Sequence, residues 1–546
     1  MMLQSRWRWI SGWLAMAALA ILIAPVAAAD PAIVVSLKSI EELLADATYI
    51  GETVNQPDAG EAAQALIDQF TQGKGLAGVD QTQPLGAFVV ITEQGQPLPP
   101  VVFIPVSDQK AFLKLLGLFF PEVDVTDDGL VSLKNPQFPP LAGKFEEGYF
   151  FASQLAPALE DLPVPADFVD PDADIAVELV ISQVPDQLKQ FFIAQVEAGA
   201  RAAGERPTDP VEAAGFDLGQ KLAFGALKSF VTEGERLSLT LDIDSEAGTF
   251  AVNLGASAQA DTAMAAAIES YRKSTSSFAE LLPADSLMTF TFSTPLAEEL
   301  KTSLVTIFEE ISKQADVELE NDPSLKTDAE KQIAKDVTNQ LISVLIDTVL
   351  SGRLDMALAI GGTSEDDMTV LALQRIVGGQ KIKGLLEKYG DELRKGDPDA
   401  EILKLNIATV GTATIHEFRI PDFSDNPIKG SMYIGLGDDF LLASSGGESL
   451  DTATALAKKL TTKAPARPRR GAEKRAPISL RMKMSSAMAI SGEVPDDVVA
   501  DAQETYKDGG DEIALEITAD EGLIQLHLEI EEGVLVLGSS LAPGAK

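Results

Sequence analysis

The chain has 546 residues, a formal net charge of −40, no cysteine and two histidines, His416 and His527. Without thiols there are no disulfides, thiolate nucleophiles or cysteine-ligated metal sites, and two histidines far apart in sequence do not make an ordinary histidine-rich zinc site. A body this acidic is repelled by DNA, RNA and anionic membrane surfaces, so nucleic acid is not an expected partner.

The first residues, Met1 to Arg8, carry Arg6 and Arg8. They precede an apolar run from Leu14 to Val26 and an Ala27-Ala28-Ala29 stretch before Asp30. That order of positive, apolar and small residues predicts a secretory signal peptide over residues 1–29, cleaved after Ala29. The run is shorter than the roughly 20 apolar residues that span a bilayer, and no later segment is apolar enough to do so. No cysteine follows to take a lipid anchor. The expected address is periplasmic or extracellular.

Beyond residue 29 the chain repeats itself. Ile33 to Ser36, Ile175 to Ser182, Met288 to Ser293 and Ile478 to Ser485 read as strands ending in serine that lead into helical patterns. After the third, Thr294 is the expected N-cap and Pro295 the first helical residue. Leu296, Leu300, Leu304, Ile307, Phe308 and Ile311 then form one stripe. A second helix is expected to bury Ile333, Val337, Leu341 and Val344.

Each segment closes in a hairpin. Phe88 to Ile91 is expected to pair with Val101 to Val106, Leu237 to Ile243 with Phe250 to Leu254, Leu354 to Ile360 with Met368 to Leu373, and Ile513 to Ile517 with Ile524 to Ile530. Their period-two alternation predicts antiparallel sheet with one face buried. The longer first and third segments share Val106-x-x-Gln109-Lys110 with Val377-x-x-Gln380-Lys381, and Phe150-Phe151-Ala152-Ser153 with Leu441-Leu442-Ala443-Ser444. A constant order of elements points to duplication.

The expected units are residues 30–164 (long), 165–282 (short), 283–460 (long) and 476–546 (short). A Pro/Asp-rich hinge, Pro163 to Asp174, separates the first two. A basic run from Lys458 to Arg475, broken by Pro465 and Pro468, reads as a linker over residues 461–475. The expected class is α+β, internally duplicated, with extended antiparallel sheets and long amphipathic helices packed on one face. In this the chain resembles exported bacterial envelope proteins built from strand, long-helix and hairpin repeats, in which a strand ending in Ala-Ser leads into a helix. The resemblance covers most of the chain after residue 29 and implies a fold and an exported address, but no activity.

Motifs that carry chemistry are weighed and set aside. Ser107-x-x-Lys110 and Ser424-Asp425-Asn426 with Lys429-Gly430 match the triplets of penicillin-recognising serine enzymes, but the gaps between them are wrong, and Ser107 has a plain role as a helix N-cap. Asp124 to Gly129 imitates the start of a calcium loop, yet Asn135 stands where a bidentate Glu belongs, so a hairpin turn is expected. Asp170 to Asp174 lacks the loop glycine, with Ile175 in its place. His416, sharing a strand face with Thr414 and Phe418, and His527, sharing one with Gln525 and Glu529, read as hydrogen-bonded or solvated strand histidines. No catalytic, cofactor-binding or metal residue is assigned.

The leading functional expectation is an exported, acidic, non-enzymatic binding or structural protein of the bacterial cell envelope, with an envelope protein or an apolar ligand as partner and no cofactor. The alternatives are a periplasmic carrier of a lipid-like ligand, with Phe119-Phe120, Phe150-Phe151 and Phe191-Phe192 lining a cavity, and a hydrolase using Asp or Glu alone. Export is tested by the intact mass of the secreted chain. It should begin at Asp30, and a mass retaining Leu14 to Val26 would overturn the signal-peptide reading.

Overall fold

The computed structural model describes residues 31–92, 95–127, 129–203, 206–362, 368–395, 403–419, 430–447, 449–462, 476–491 and 494–540. Residues 1–29, most of the basic linker (463–475) and Ser424 to Lys429 lie outside the described residues. Among the described residues thirteen helices and twenty antiparallel strands, 42% helix and 32% strand, make the fold α+β.

The elements follow one order twice. The first long segment runs β1 (Ile33–Leu37), α1 (Ile40–Thr53), α2 (Ala59–Phe70), β2 (Leu85–Val89), β3 (Val101–Pro105), α3 (Gln109–Leu116), β4 (Glu122–Val125), β5 (Leu130–Asn135), β6 (Phe138–Glu146) and β7 (Tyr149–Ser153). The first short segment runs β8 (Ile175–Val180), α4 (Asp186–Ala203), α5 (Pro210–Glu233), β9 (Gly234–Asp244), β10 (Thr249–Ala258) and α6 (Ala263–Arg272). The second long segment runs β11 (Met288–Pro295), α7 (Glu298–Asn321), α8 (Asp328–Leu350), β12 (Arg353–Gly361), β13 (Thr369–Arg375), α9 (Gly379–Lys395), β14 (Leu403–Val410), β15 (Ala413–Arg419), β16 (Ser431–Leu436), β17 (Phe440–Ser445) and α10 (Ser449–Thr462). The last runs β18 (Ile478–Lys483), α11 (Met484–Ser491), α12 (Asp496–Thr505), β19 (Glu512–Asp520), β20 (Leu523–Glu531) and α13 (Glu532–Ser540).

Two compact units result. Unit 1 takes in the described residues up to Ala202, Leu227–Met264 and those from Ser539; unit 2 takes in Ala203–Ala226 and Ala265–Gly538. In unit 1 the strands lie in the order β10-β9-β8-β1-β2-β3-β7-β6-β5-β4. In unit 2 they lie in the order β20-β19-β18-β11-β12-β13-β17-β16-β15-β14. Every position in one order has its counterpart ten strands later in the other. The shared Gln-Lys pair keeps its place: Gln109 opens α3 after β3, and Gln380 is the second residue of α9 after β13.

Alternation along each strand divides the side chains between two faces. In unit 1, Val34, Phe88, Val101, Phe103 and Phe151 form a core closed by Leu159 and Val169. Leu159 belongs to a 3₁₀ turn, Ala156–Leu159, so β7 leads into 3₁₀ structure, where its counterpart β17 leads into α10. The expected hinge is pinned to the sheet: Phe168 meets Phe88 and Phe103 edge-on at 5.4 and 5.5 Å. The opposite face buries Phe150 with Val131, Leu133 and the α3 residues Phe112 and Leu115. In unit 2, Leu371, Leu373, Ile415 and Leu442 pack under Ala453, Leu456 and Ala457 of α10.

The four expected hairpins form, with Phe88 opposite Val101, Phe250 opposite Ile243, Ile360 opposite Val370 and Ile513 opposite Ile530; the first pairs through Gly86 and Ala87 rather than through the residues after Phe88. Helix starts differ more. β11 runs on through Pro295 and α7 begins at Glu298 with Ala297 at its cap, because Thr294 and Pro295 are taken up in pairing with Leu354 and Arg353. Helix α8 buries Ile342, Val344, Thr348 and Val349 but leaves Leu341 exposed. Its start is fixed by a capping box in which the Thr327 hydroxyl accepts from the Glu330 N–H and the Glu330 carboxylate from the Thr327 N–H. Lys458 and Lys459, placed in the basic run by sequence, sit in the last turns of α10.

Gly143 tests the packing of the α3 face. A Cβ there would fall on the Phe150 ring, and that ring is held between Phe112 and Phe145 at centroid distances of 5.2 and 4.8 Å. Gly143→Ala should therefore cost about 1–3 kcal/mol in a urea unfolding titration, the range for overpacked cores.

Candidate functional site

Two features of unit 1 stand out from the packed framework. The first is an apolar row crossing six strands. Val102 of β3 lies opposite Ala87 of β2, Ala87 opposite Val35 of β1, Val35 opposite Val177 of β8, Val177 opposite Leu239 of β9, and Leu239 opposite Leu254 of β10. At the ~4.8 Å spacing of neighbouring strands the five steps span about 24 Å. The five large side chains of the row are 37 to 44% exposed. The intervening residues Val34, Phe88 and Val101 point to the opposite face and are sealed in its core. On the same face Tyr49 of α1 stacks on Phe250 of β10 at 5.7 Å.

Unit 2 repeats the row. Ala372, Leu358, Phe290, Leu480, Leu515 and Leu528 lie opposite one another in turn across β13, β12, β11, β18, β19 and β20, each half-buried. Phe290 and Phe292 extend this face together, their rings 6.5 Å apart.

The second feature is a cleft of about 570 Å³ at the start of α1, lined by Lys38, Ser39, Glu42, Ala45, Tyr149 and Val169 among others. Ser39 caps the helix, its hydroxyl accepting from the Glu42 N–H at 3.0 Å. Asp174, immediately before β8, is buried. One of its carboxylate oxygens accepts from the Ile243 N–H at 2.6 Å, and the other stands 3.6 Å from the Lys38 ammonium. Two helical turns past the cap lies Asp46, 7% exposed, whose Oδ2 is buried with no hydrogen-bond partner. Burial, then the charges of Asp174 and Glu42, push its carboxyl up to about 6, with Lys38 pulling the other way.

The same end of the unit 2 sheet is built differently. Leu37 pairs with Ile175 as Phe292 pairs with Ile478. The next residues outward are Lys38 and Asp174 in one unit, Ser293 and Pro477 in the other. Both couples are joined by the same backbone hydrogen bond, Lys38 N–H to the Asp174 carbonyl at 3.0 Å and Ser293 N–H to the Pro477 carbonyl at 2.7 Å. The residue seven beyond the α7 cap Ala297, as Asp46 is seven beyond Ser39, is Leu304. Unit 2 has its own buried carboxylate, Asp355, and that one is saturated. It accepts from Ser276 Oγ at 2.7 Å, from the Ser277 N–H at 3.0 Å and from Ser277 Oγ at 2.5 Å, with Arg353 at 3.4 Å.

The sequence-singled residues do not converge. Ser107 is not the cap of α3; Asp108 is, accepting from the Lys110 and Ala111 N–H groups, while the Ser107 hydroxyl donates to the Val79 carbonyl. Between β4 and β5, Gly129 has φ +82° and donates its N–H to the Thr126 carbonyl at 3.0 Å. Asp170 accepts from the Asp172 N–H in a local turn. Among the described residues no group of three or more Asp, Glu or His is arranged to hold a metal ion.

His416 is 1% exposed. Its Nδ1 accepts from the Asn406 N–H at 3.3 Å, which leaves Nε2 to donate to Thr414 Oγ1 at 3.2 Å. Burial and the Lys383 charge hold it below the usual histidine range. His527 Nε2 lies 3.5 Å from the Glu529 carboxylate on β20. Of the phenylalanine pairs, Phe150 and Phe151 sit in separate cores on opposite faces, whereas Phe119, Phe191 and Phe192 are exposed, so the three pairs line no common cavity. Sequence reasoning missed Asp46, which is one of many acids on an amphipathic helix. Only its place on the helix face that turns toward Lys38 distinguishes it.

No protein-family model, curated protein or solved structure matches the chain.

The Asp46 carboxyl gives a pH test. Its folded pKa is raised, so its protonated form is favoured by folding; the associated stability is complete below about pH 4 and is lost as pH rises through about 6. Asp46→Asn, which mimics the protonated acid, should match the parent near pH 4. By pH 8 it should exceed the parent by roughly 1–3 kcal/mol in urea unfolding. A constant difference across that range would mean that Asp46 does not titrate as the geometry requires.

Proposed function

We propose that the protein is an exported, acidic, non-enzymatic binding or structural protein of the bacterial cell envelope. What supports the reading is the transverse apolar row of unit 1. A globular domain gains about 25 cal/mol for each Å² of apolar surface it removes from water, and contiguous exposed apolar surface marks a place where something else binds. Here five register-matched side chains on a sheet face are left between a third and a half exposed, while the opposite face of β1, β2 and β3 is sealed.

The same row favours one ligand class within that reading, an apolar, lipid-like molecule. Its span of about 24 Å exceeds the roughly 15 Å that one leaflet contributes to a bilayer's hydrocarbon core, so an extended chain can lie along it. Valine, leucine and alanine side chains offer such a chain dispersion contact with no polar atom to satisfy. The phenylalanine pairs expected to line a cavity play no part; the carrier reading rests on the row alone.

The test is to purify the chain without detergent from the envelope fraction of its producing cell, extract it with organic solvent and weigh what is released. The parent should carry a lipid at near one per chain. The variants Leu239→Asp and Leu254→Asp, each at an exposed position, should carry at least fivefold less while keeping the parent circular dichroism. A parent free of lipid, or variants that retain it, would overturn the carrier reading. A reproducible turnover by the parent on esterase, glycosidase, peptidase or phosphatase substrates would overturn the non-enzymatic one.

A further inference from the structure

Helices α1 and α2 pack against each other where Gly51 meets Ala59, yet the pair is lightly seated. Its buried residues are Asp46, Gly51 and Thr53, none of them a large apolar side chain. Leu43, Leu44 and Ile50 are only half-buried. The helix pair at the same place in the order of unit 2 is anchored by buried Ile342, Val344 and Val349 of α8. An element without a buried apolar anchor gives up little on leaving its seat, so α1 opens at less cost than the strands beside it.

Two side chains decide how α1 sits. Tyr49 stacks on Phe250 of β10, and Phe250 points to the same side of that strand as Leu254, the end of the apolar row. Asp46, three residues before Tyr49, is buried with its Oδ2 unpartnered. The charged groups that act on it are Asp174 before β8, Glu42 one turn back on α1 and Lys38 after β1. Asp242 of β9, whose own carboxyl is pushed up by burial, also feels Asp174. With its proton, the Asp46 carboxyl is a neutral group in this seat. Without it, Asp46 is a desolvated charge among like charges, and lifting α1 into water relieves it.

We propose that α1 is a pH-governed lid on the apolar face of unit 1, closed while Asp46 carries its proton and lifting, with Tyr49 leaving Phe250, once Asp46 is ionised. The lid rests on the carrier reading of the row and adds its regulation. In the closed seat burial pushes the Asp46 carboxyl up to about 6, whereas in the open, hydrated state it returns to the ordinary 3.8. The closed form is therefore fully favoured below about pH 4. Its ratio to the open form falls about tenfold per pH unit up to about pH 6, then levels off roughly a hundredfold lower. Acid holds the row shut, and neutral surroundings let its ligand exchange.

The experiment uses the full chain and two readouts. Amide hydrogen exchange, corrected for intrinsic rate, should find α1 less protected than β1 throughout, its protection falling about a hundredfold from pH 4 to pH 7 while that of α8 changes by less than about threefold. Asp46→Asn should hold the α1 protection of the parent at pH 4 across the range. Tyr49→Ala should lower it even at pH 4. The second readout is uptake of pyrene-labelled phosphatidylcholine from vesicles, a lipid whose headgroup keeps one charge state over this range. Uptake by the parent should be about tenfold or more faster at pH 7 than at pH 4, slow at both for Asp46→Asn and fast at both for Tyr49→Ala. Exchange of α1 that keeps step with β1, or that is flat with pH in the parent, would overturn the lid. Uptake that is equal at the two pH values while α1 exchange still responds would overturn the gating and leave the carrier reading standing. No uptake at either pH by the parent or by Tyr49→Ala would overturn the carrier reading, and the gating with it.

Discussion

Everything distinctive about this molecule depends on the register of one strand in each unit, β1 in the first and β11 in the second. Each is paired on both sides, β1 with β2 and β8, β11 with β12 and β18. Each is therefore the member on which the long and short segments meet. Because side chains alternate with a period of two, a slip of one residue would turn the row through Val35 inward and expose the core that contains Val34 and Phe88. The buried face forbids that slip. The same register sets Lys38 beside Asp174, so the cleft and the row both follow from it.

Local pattern makes much of this legible along the chain. Alternating runs such as Leu237, Leu239, Leu241 and Ile243 announce a strand, and their partners follow from the nearest turn, which is why the four hairpins appear. The shared Val-x-x-Gln-Lys motif marks a strand-to-helix junction in both units, and the repeated order of elements carries the duplication. Helix starts are harder to read. Thr294-Pro295 has the local signature of a cap, but tertiary pairing of β11 with β12 outcompetes it, and Ser107 loses the cap role to Asp108, whose carboxylate lies one residue closer to the orphan N–H groups.

The sites are the least legible part. Nothing in a list of acids says which carboxylate is buried, since burial depends on which helix face turns toward the sheet. The row is likewise invisible along the chain: its members are separated by tens of residues and become neighbours only when β3, β2, β1, β8, β9 and β10 are laid side by side. The phenylalanine doublets mislead for the complementary reason. Adjacent residues on a strand point to opposite faces, so Phe150 and Phe151 serve different cores and cannot line one wall.

The outermost strands carry a consequence of their own. In unit 1 the last strand, β4, is four residues long, and Glu122 and Asp124 are both exposed on it. In unit 2 the last strand, β14, is interrupted between Lys404 and Ala408, where Asn406 takes a positive φ of 53°. An open strand offers its unsatisfied backbone groups as a template to any extended chain. One border is short and negatively charged, the other kinked, and neither gives an incoming strand a straight run of donors and acceptors. Edge-to-edge pairing is thus discouraged at each of these two strands by different means.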